Sequence, residues 1–98
     1  MAPAFPRELA EQFGRNLIRC RKRADLSQEE LGFLASLHRT EIGMLERGIR
    51  LPRIDTLLKL AGGLEIEPGE LLEGMGWMPS DPRIGSFRIS EEDPEEGR

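Results

Sequence analysis

Arg39, Thr40, Gly43 and Met44 lie within one short stretch of this 98-residue chain. At about 100° per residue they group on one side of a helix. Ile42, Leu45 and Glu46 group on the other. The first set offers a guanidinium that donates twice to planar acceptors, a hydroxyl with a methyl, and a flexible thioether. The glycine has no side chain and admits a close approach. These groups recognise surfaces and do not break covalent bonds. An α-helix fits the major groove of B-DNA, and Arg is shaped to donate to guanine O6 and N7. Arg39, Thr40, Gly43 and Met44 are therefore the candidate base-contacting set. His38 precedes them, where a helix N-cap belongs; it is read as a phosphate or base contact or as a turn residue. Glu41 is read first as a charge favoured at a helix N-terminus and second as an acceptor for cytosine N4.

Catalysis has no comparable foothold. The chain has one His, one Cys and no Gly-rich phosphate loop, so no nucleophile–base pair can be assigned. Glu29 and Glu30 are adjacent, and adjacent helical side chains point apart. A single thiol builds neither a disulfide nor a thiolate metal cluster. No enzyme activity, metal or cofactor is expected.

The elements that hold the candidate set read as helices. Leu9, Phe13, Leu17, Cys20 and Ala24 recur at helical spacing and form one face. Cys20 on that face is a small core hydrophobe or, alternatively, a reactive thiol. Arg15, Arg19, Arg21, Lys22 and Arg23 lie between the apolar positions. Ser27-Gln28-Glu29-Glu30 has the S-x-x-E form of a capping box and starts a second helix, with Leu31, Leu34 and Ala35 facing inward. The third runs from about Arg39 to Glu46. Gly48 suits the left-handed position past its end. Ile54, Leu57, Leu58, Leu60 and Ala61 form a fourth, stopped by Gly62-Gly63. Pro68 opens a fifth that buries Leu71, Leu72 and Met75. Only about three residues separate the second and third helices, a turn short enough to cross them steeply and project the second of the pair.

Three regions follow: an irregular arm over residues 1–6, a helical domain over 7–75, and an acidic, proline-containing, mobile tail over 76–98. Within the tail, Phe87 and Ile89 alternate with polar residues and could form a short strand. The overall charge is −4. Its distribution is uneven: residues 15–53 hold nine basic and five acidic residues, whereas 54–98 hold four and eleven. A basic half built to meet a polyanion gives this asymmetry, as do ordinary solvated helices followed by a solubilising tail. With no apolar stretch near 18 residues and no leader-like N-terminus, a cytoplasmic protein without membrane contact is expected.

Leu26-Ser27-Gln28-Glu29-Glu30-Leu31, then Ile42-x-x-Leu45-Glu46-Arg47-Gly48, then Pro52 and Asp55-Thr56-Leu57-Leu58-Lys59-Leu60-Ala61 resemble the phage-repressor/Cro-type (XRE) helix-turn-helix family. The likeness covers about residues 12–75. It implies an all-α, compact five-helix, lambda-repressor-like domain with the helix-turn-helix at helices two and three. It implies a prokaryotic transcriptional regulator that grips double-stranded DNA through Ser27–Arg53 as a homodimer. Gln28 would hold a phosphate, with further phosphate contacts from Arg47, Arg50 and Arg53. Arg21 and Glu46 would form an ion pair between helices one and three. Ser36 stands where the family's turn usually carries Gly, and His38 where its cap is usually Ser or Thr. The other function class compatible with the sequence is an antitoxin-like or accessory module whose protein partner docks on helix five or on the tail, through Trp77, Phe87 and Ile89.

Overall fold

The computed structural model describes residues 6–79 and 85–90. The apolar stripe of the first half folds as α1, Arg7–Arg23, with Phe13, Leu17 and Cys20 buried. Its last turn carries Arg21, Lys22 and Arg23, the charge that a helix C-terminus favours. Asp25 takes a left-handed conformation just beyond it. The capping box then starts α2, Gln28–Ala35. The Glu30 N–H donates to Ser27 Oγ at 3.0 Å and the Ser27 N–H to Glu30 Oε1 at 2.8 Å. The Ser27 N–H, with a smaller contribution from the Ser27 side chain, holds the Glu30 carboxyl below its usual pKa.

The buried face of α2 differs from the expected one. Leu31, Gly32 and Ala35 are buried, while Leu34 is 53% and Phe33 85% exposed. The turn into the next helix accounts for this. The Leu37 N–H donates to the Gly32 carbonyl, and a Cβ on Gly32 would lie 2.6 Å from the Leu37 carbonyl. The chain folds back over Gly32, so the inward face centres there and Leu34 rotates into solvent. Ser36 closes α2 at φ 56°, a left-handed position that usually favours glycine.

The third and fourth helices are α3, Arg39–Glu46, and α4, Ile54–Leu64. Phe13, Leu17, Leu31, Ile42, Leu45, Leu60 and Leu71 are fully buried in one cluster. Each such side chain contributes about 1.5–3 kcal/mol of transfer free energy. Cys20 packs there too, and burial pushes its thiol pKa up.

The expected fifth helix is a 3-10 turn, Pro68–Leu72, which buries Leu71 and leaves Leu72 exposed. Five residues beginning Pro-Gly are too few to nucleate an α-helix, and Glu73 is extended at ψ 134°. Met75 opens a strand instead. Strand β1, Met75–Met78, pairs antiparallel with β2, Ser86–Ile89, matching Met75 to Ile89 and Trp77 to Phe87. Among the described residues the fold is thus four α-helices, a 3-10 turn and a small hairpin, where five helices were expected. The Trp77 and Phe87 rings meet edge to face at 5.1 Å. Residues 1–5 of the expected arm and the acidic run Glu91–Glu96 lie outside the described residues.

One buried polar residue ties this C-terminal part to α1. Asn16 occupies a position of the apolar stripe and is 0% exposed. Its Nδ2 donates to the Leu71 and Glu73 carbonyls, both at 2.9 Å. Its Oδ1 accepts from Gln12 Nε2 and Arg19 Nη1. Where the chain leaves regular helix, Asn16 satisfies the carbonyls that the helix would have used.

Candidate nucleic-acid interface

Ile42 and Leu45 are fully buried and pin α3 to the core. The helix is capped by an imidazole: His38 Nδ1 accepts from the Thr40 N–H at 3.1 Å. The ring stays exposed, and with Nδ1 accepting, Nε2 carries the proton that can be donated outward. Arg39 and Thr40 are exposed and Met44 is half-buried.

Gly43 departs from the outward set, because it is buried. A Cβ there would lie 3.2 Å from Arg47 Nη1 and within 4 Å of the Gln28 amide. The cover comes from the guanidinium of Arg47, just past the end of α3, and from the first residue of α2. Angular position on the helix could not reveal that lid.

Beneath the exposed face lies a charged lock. Arg21 Nε donates to Glu46 Oε2 at 2.6 Å and Arg21 Nη2 to Glu46 Oε1 at 3.0 Å. The side chains are 13% and 5% exposed. Arg21 Nη1 donates to the Leu26 carbonyl at 2.8 Å, and Gln28 Nε2 to Glu46 Oε1 at 2.9 Å. The bond to Glu46 raises the Arg21 pKa, with burial opposing it. Arg21 and Glu46 therefore stand together across α1 and α3, as the family likeness implied, with Gln28 added from α2. At this junction the two helices nearly touch. A Cβ on Gly14 would sit 2.5 Å from the Glu46 carbonyl oxygen and 2.7 Å from that of Leu45.

Three further arginines have carboxylates near them. Arg50 Nη2 lies 3.3 Å from Glu41 Oε2, Arg39 Nη1 3.9 Å from Glu29 Oε2, and Arg53 Nε 3.3 Å from Asp55 Oδ1. The sequence reading gave Glu29 and Asp55 no such role. Nothing in linear spacing pairs Glu29 with Arg39 across a turn, whereas Arg53 and Asp55 are near neighbours whose pairing could have been anticipated. Among the described residues no His/Cys/Asp/Glu group could hold a metal ion, and no helix is long and apolar enough to cross a membrane.

The α2–turn–α3 pair, with α3 anchored below by Ile42 and Leu45 and open above, defines a helix-turn-helix DNA-binding domain. The helix-turn-helix family model matches residues 17–71, and the chain belongs to that family. It is 37% identical over 62 residues to control protein C.BamHI of Bacillus amyloliquefaciens, covering 62% of this chain and 76% of that protein. It is 36% identical over 69 residues to control protein C.SmaI of Serratia marcescens, covering 70% and 82%. Among solved structures, the restriction-modification controller protein C.AhdI from Aeromonas hydrophila superposes with a TM-score of 0.62 at 45% identity. That match covers 63% of this chain and 94% of the other. The chain is a sequence-specific DNA-binding transcriptional regulator.

Proposed function

We propose that this regulator is a controller protein of a restriction-modification system, which docks α3 in the major groove of an operator. The likeness to three control proteins supports the assignment. The observation that carries the docking is the exposure of Arg39 and Thr40 on a helix whose opposite face is fully buried. Arg39 donates to guanine O6 and N7, while Thr40 and Met44 make smaller contacts to neighbouring base edges. Gly43, under its cover of Arg47 and Gln28, contacts a base only if that cover opens. His38, Arg47, Arg50 and Arg53 position the protein on phosphates. Gln28, at the start of α2, shares its amide between Glu46 and the backbone of the duplex.

Members of this fold class place two recognition helices about 34 Å apart on successive major-groove faces. A homodimer meets that demand here. Ile54 and Leu58, one turn apart on α4 and 73% and 55% exposed, give it apolar surface to bury.

Selection of bound duplexes from a random pool tests the assignment, followed by Arg39→Ala on matched and mismatched sites. Base readout predicts a loss of about 1–3 kcal/mol on the preferred site and relaxed preference at one base pair. An equal loss on every duplex would confine Arg39 to phosphate. The second reading, a protein partner held by the tail, draws on the half-exposed Trp77 and Phe87. It is favoured only if a second protein co-purifies at fixed ratio and the ratio is lost with the hairpin.

A further inference from the structure

Three of the arginines assigned to DNA, Arg39, Arg50 and Arg53, each have a carboxylate within ion-pair distance. Their partners Glu29, Glu41 and Asp55 come from the first turns of α2, α3 and α4 respectively. The three pairs thus recur at the N-terminal ends of three successive helices. Such ends attract anions, including phosphate, through unpaired N–H groups and the helix dipole. A carboxylate placed there takes up part of the same field.

We infer that Glu29, Glu41 and Asp55 act as an electrostatic brake that holds down sequence-independent affinity for duplex DNA. The inference rests on reading this face as the DNA-binding one. Non-specific binding depends on cations that neutralise phosphates and release counterions, and its salt slope counts them. An arginine held by a carboxylate is already neutralised locally. To contact a phosphate it must leave that partner, and the freed carboxylate then repels the same backbone. Arg39 must leave Glu29 to reach a guanine edge as well, but its two base-edge hydrogen bonds add affinity only at the preferred site. The preferred site therefore keeps a source of affinity that random sequence lacks. Glu41 is the strongest of the three, because its pair with Arg50 is short and it is the least exposed of the carboxylates.

The test compares the full chain with Glu41→Gln and with the triple variant Glu29→Gln, Glu41→Gln, Asp55→Asn. Each is titrated with a random-sequence duplex and with the duplex selected by the wild type, across a range of salt. Helical circular dichroism verifies folding. Glu67→Gln, an exposed carboxylate outside α2, α3 and α4, controls for net charge. The brake predicts about threefold tighter random-duplex binding for Glu41→Gln and about tenfold or more for the triple variant. It also predicts a steeper salt slope and a gain that fades as salt shortens the Debye length. Glu67→Gln stays at the wild-type affinity. Variants that bind random duplex no better than wild type, while wild type still binds its selected site, overturn the brake and leave the DNA-docking reading intact. If neither wild type nor the triple variant binds any duplex, both readings fall. A gain from Glu67→Gln equal to that from Glu41→Gln reduces the effect to net charge and also overturns the proposal.

Discussion

Helix α1 makes two polar junctions, and they differ in kind. Toward α3 it sends Arg21 into a bidentate pair with Glu46, joined by Gln28 and the Leu26 carbonyl. Toward the C-terminal segment it sends neutral Asn16, which bonds two carbonyls of a chain leaving regular structure. The charged junction fixes the orientation of a regular helix, with ion-pair geometry reinforcing the packing of Ile42 and Leu45. The neutral junction satisfies backbone that has no ladder of its own. A buried ion pair is costly to half-remove because the remaining charge stays desolvated. An amide that serves carbonyls exacts a smaller penalty. Helix α3 is therefore the more firmly held, and the hairpin is the more separable.

The largest effect that would sharpen this contrast is expected of Glu46→Ala. It strands Arg21 and should cost about 3–5 kcal/mol. For a domain of this size each kcal/mol lowers the melting temperature by about 4–8 °C. Calorimetry should show that fall, and affinity for the selected duplex should drop with it. Wild-type stability in this variant would break the comparison outright. Asn16→Ala comes next, at about 1–3 kcal/mol in all for losing the one amide that serves the Leu71 and Glu73 carbonyls. Hydrogen exchange should then rise across the 3-10 turn and the hairpin, while DNA affinity of the folded protein holds. A loss of DNA affinity there would mean that the two junctions are coupled. The smallest effects come from one chemical change made at two places. Gly14→Ala drives a methyl against two backbone carbonyls at the α1–α3 contact, which have little room to yield, and should cost about 1–3 kcal/mol. Gly76→Ala meets only the end of the flexible Arg88 side chain and should stay within about 0.5 kcal/mol of wild type. Equal melting temperatures for this pair would contradict the tighter packing assigned to the α1–α3 side.

What could be read from the sequence follows the same division. Ile42 and Leu45 announced the inner face of α3, and Ser27 with Glu30 announced the start of α2, because periodicity and capping are local. The Arg21–Glu46 pair came through family likeness and the placement of both residues beside apolar stripes. Leu34 and Gly43 were misplaced for one shared reason. Helical angle says where a side chain points, but not what passes over it: the turn after α2 covers Gly32, and Arg47 covers Gly43. Asn16 was invisible because its partners lie 55 and 57 residues away and belong to backbone, which has no sequence signature. The Pro68 segment showed an apolar spacing that fits a helix, but too few residues follow before Glu73 turns extended. The Phe87–Ile89 alternation was read as a possible strand. Its partner, Met75–Met78, straddles the end of the apolar spacing that begins at Pro68 and has no polar alternation of its own to mark a strand.

The Trp77 indole lies over Gly85, where a Cβ would overlap the ring, and packs on Phe87. The chain has one Trp and no Tyr, so its tryptophan emission reports on the hairpin. An emission-monitored denaturation curve follows Trp77 leaving Phe87 and Gly85, while far-ultraviolet ellipticity follows α1 to α4. Two optical channels thus watch two different parts of a single small molecule. A DNA titration followed by emission registers binding only to the extent that contact at α3 is transmitted to β1.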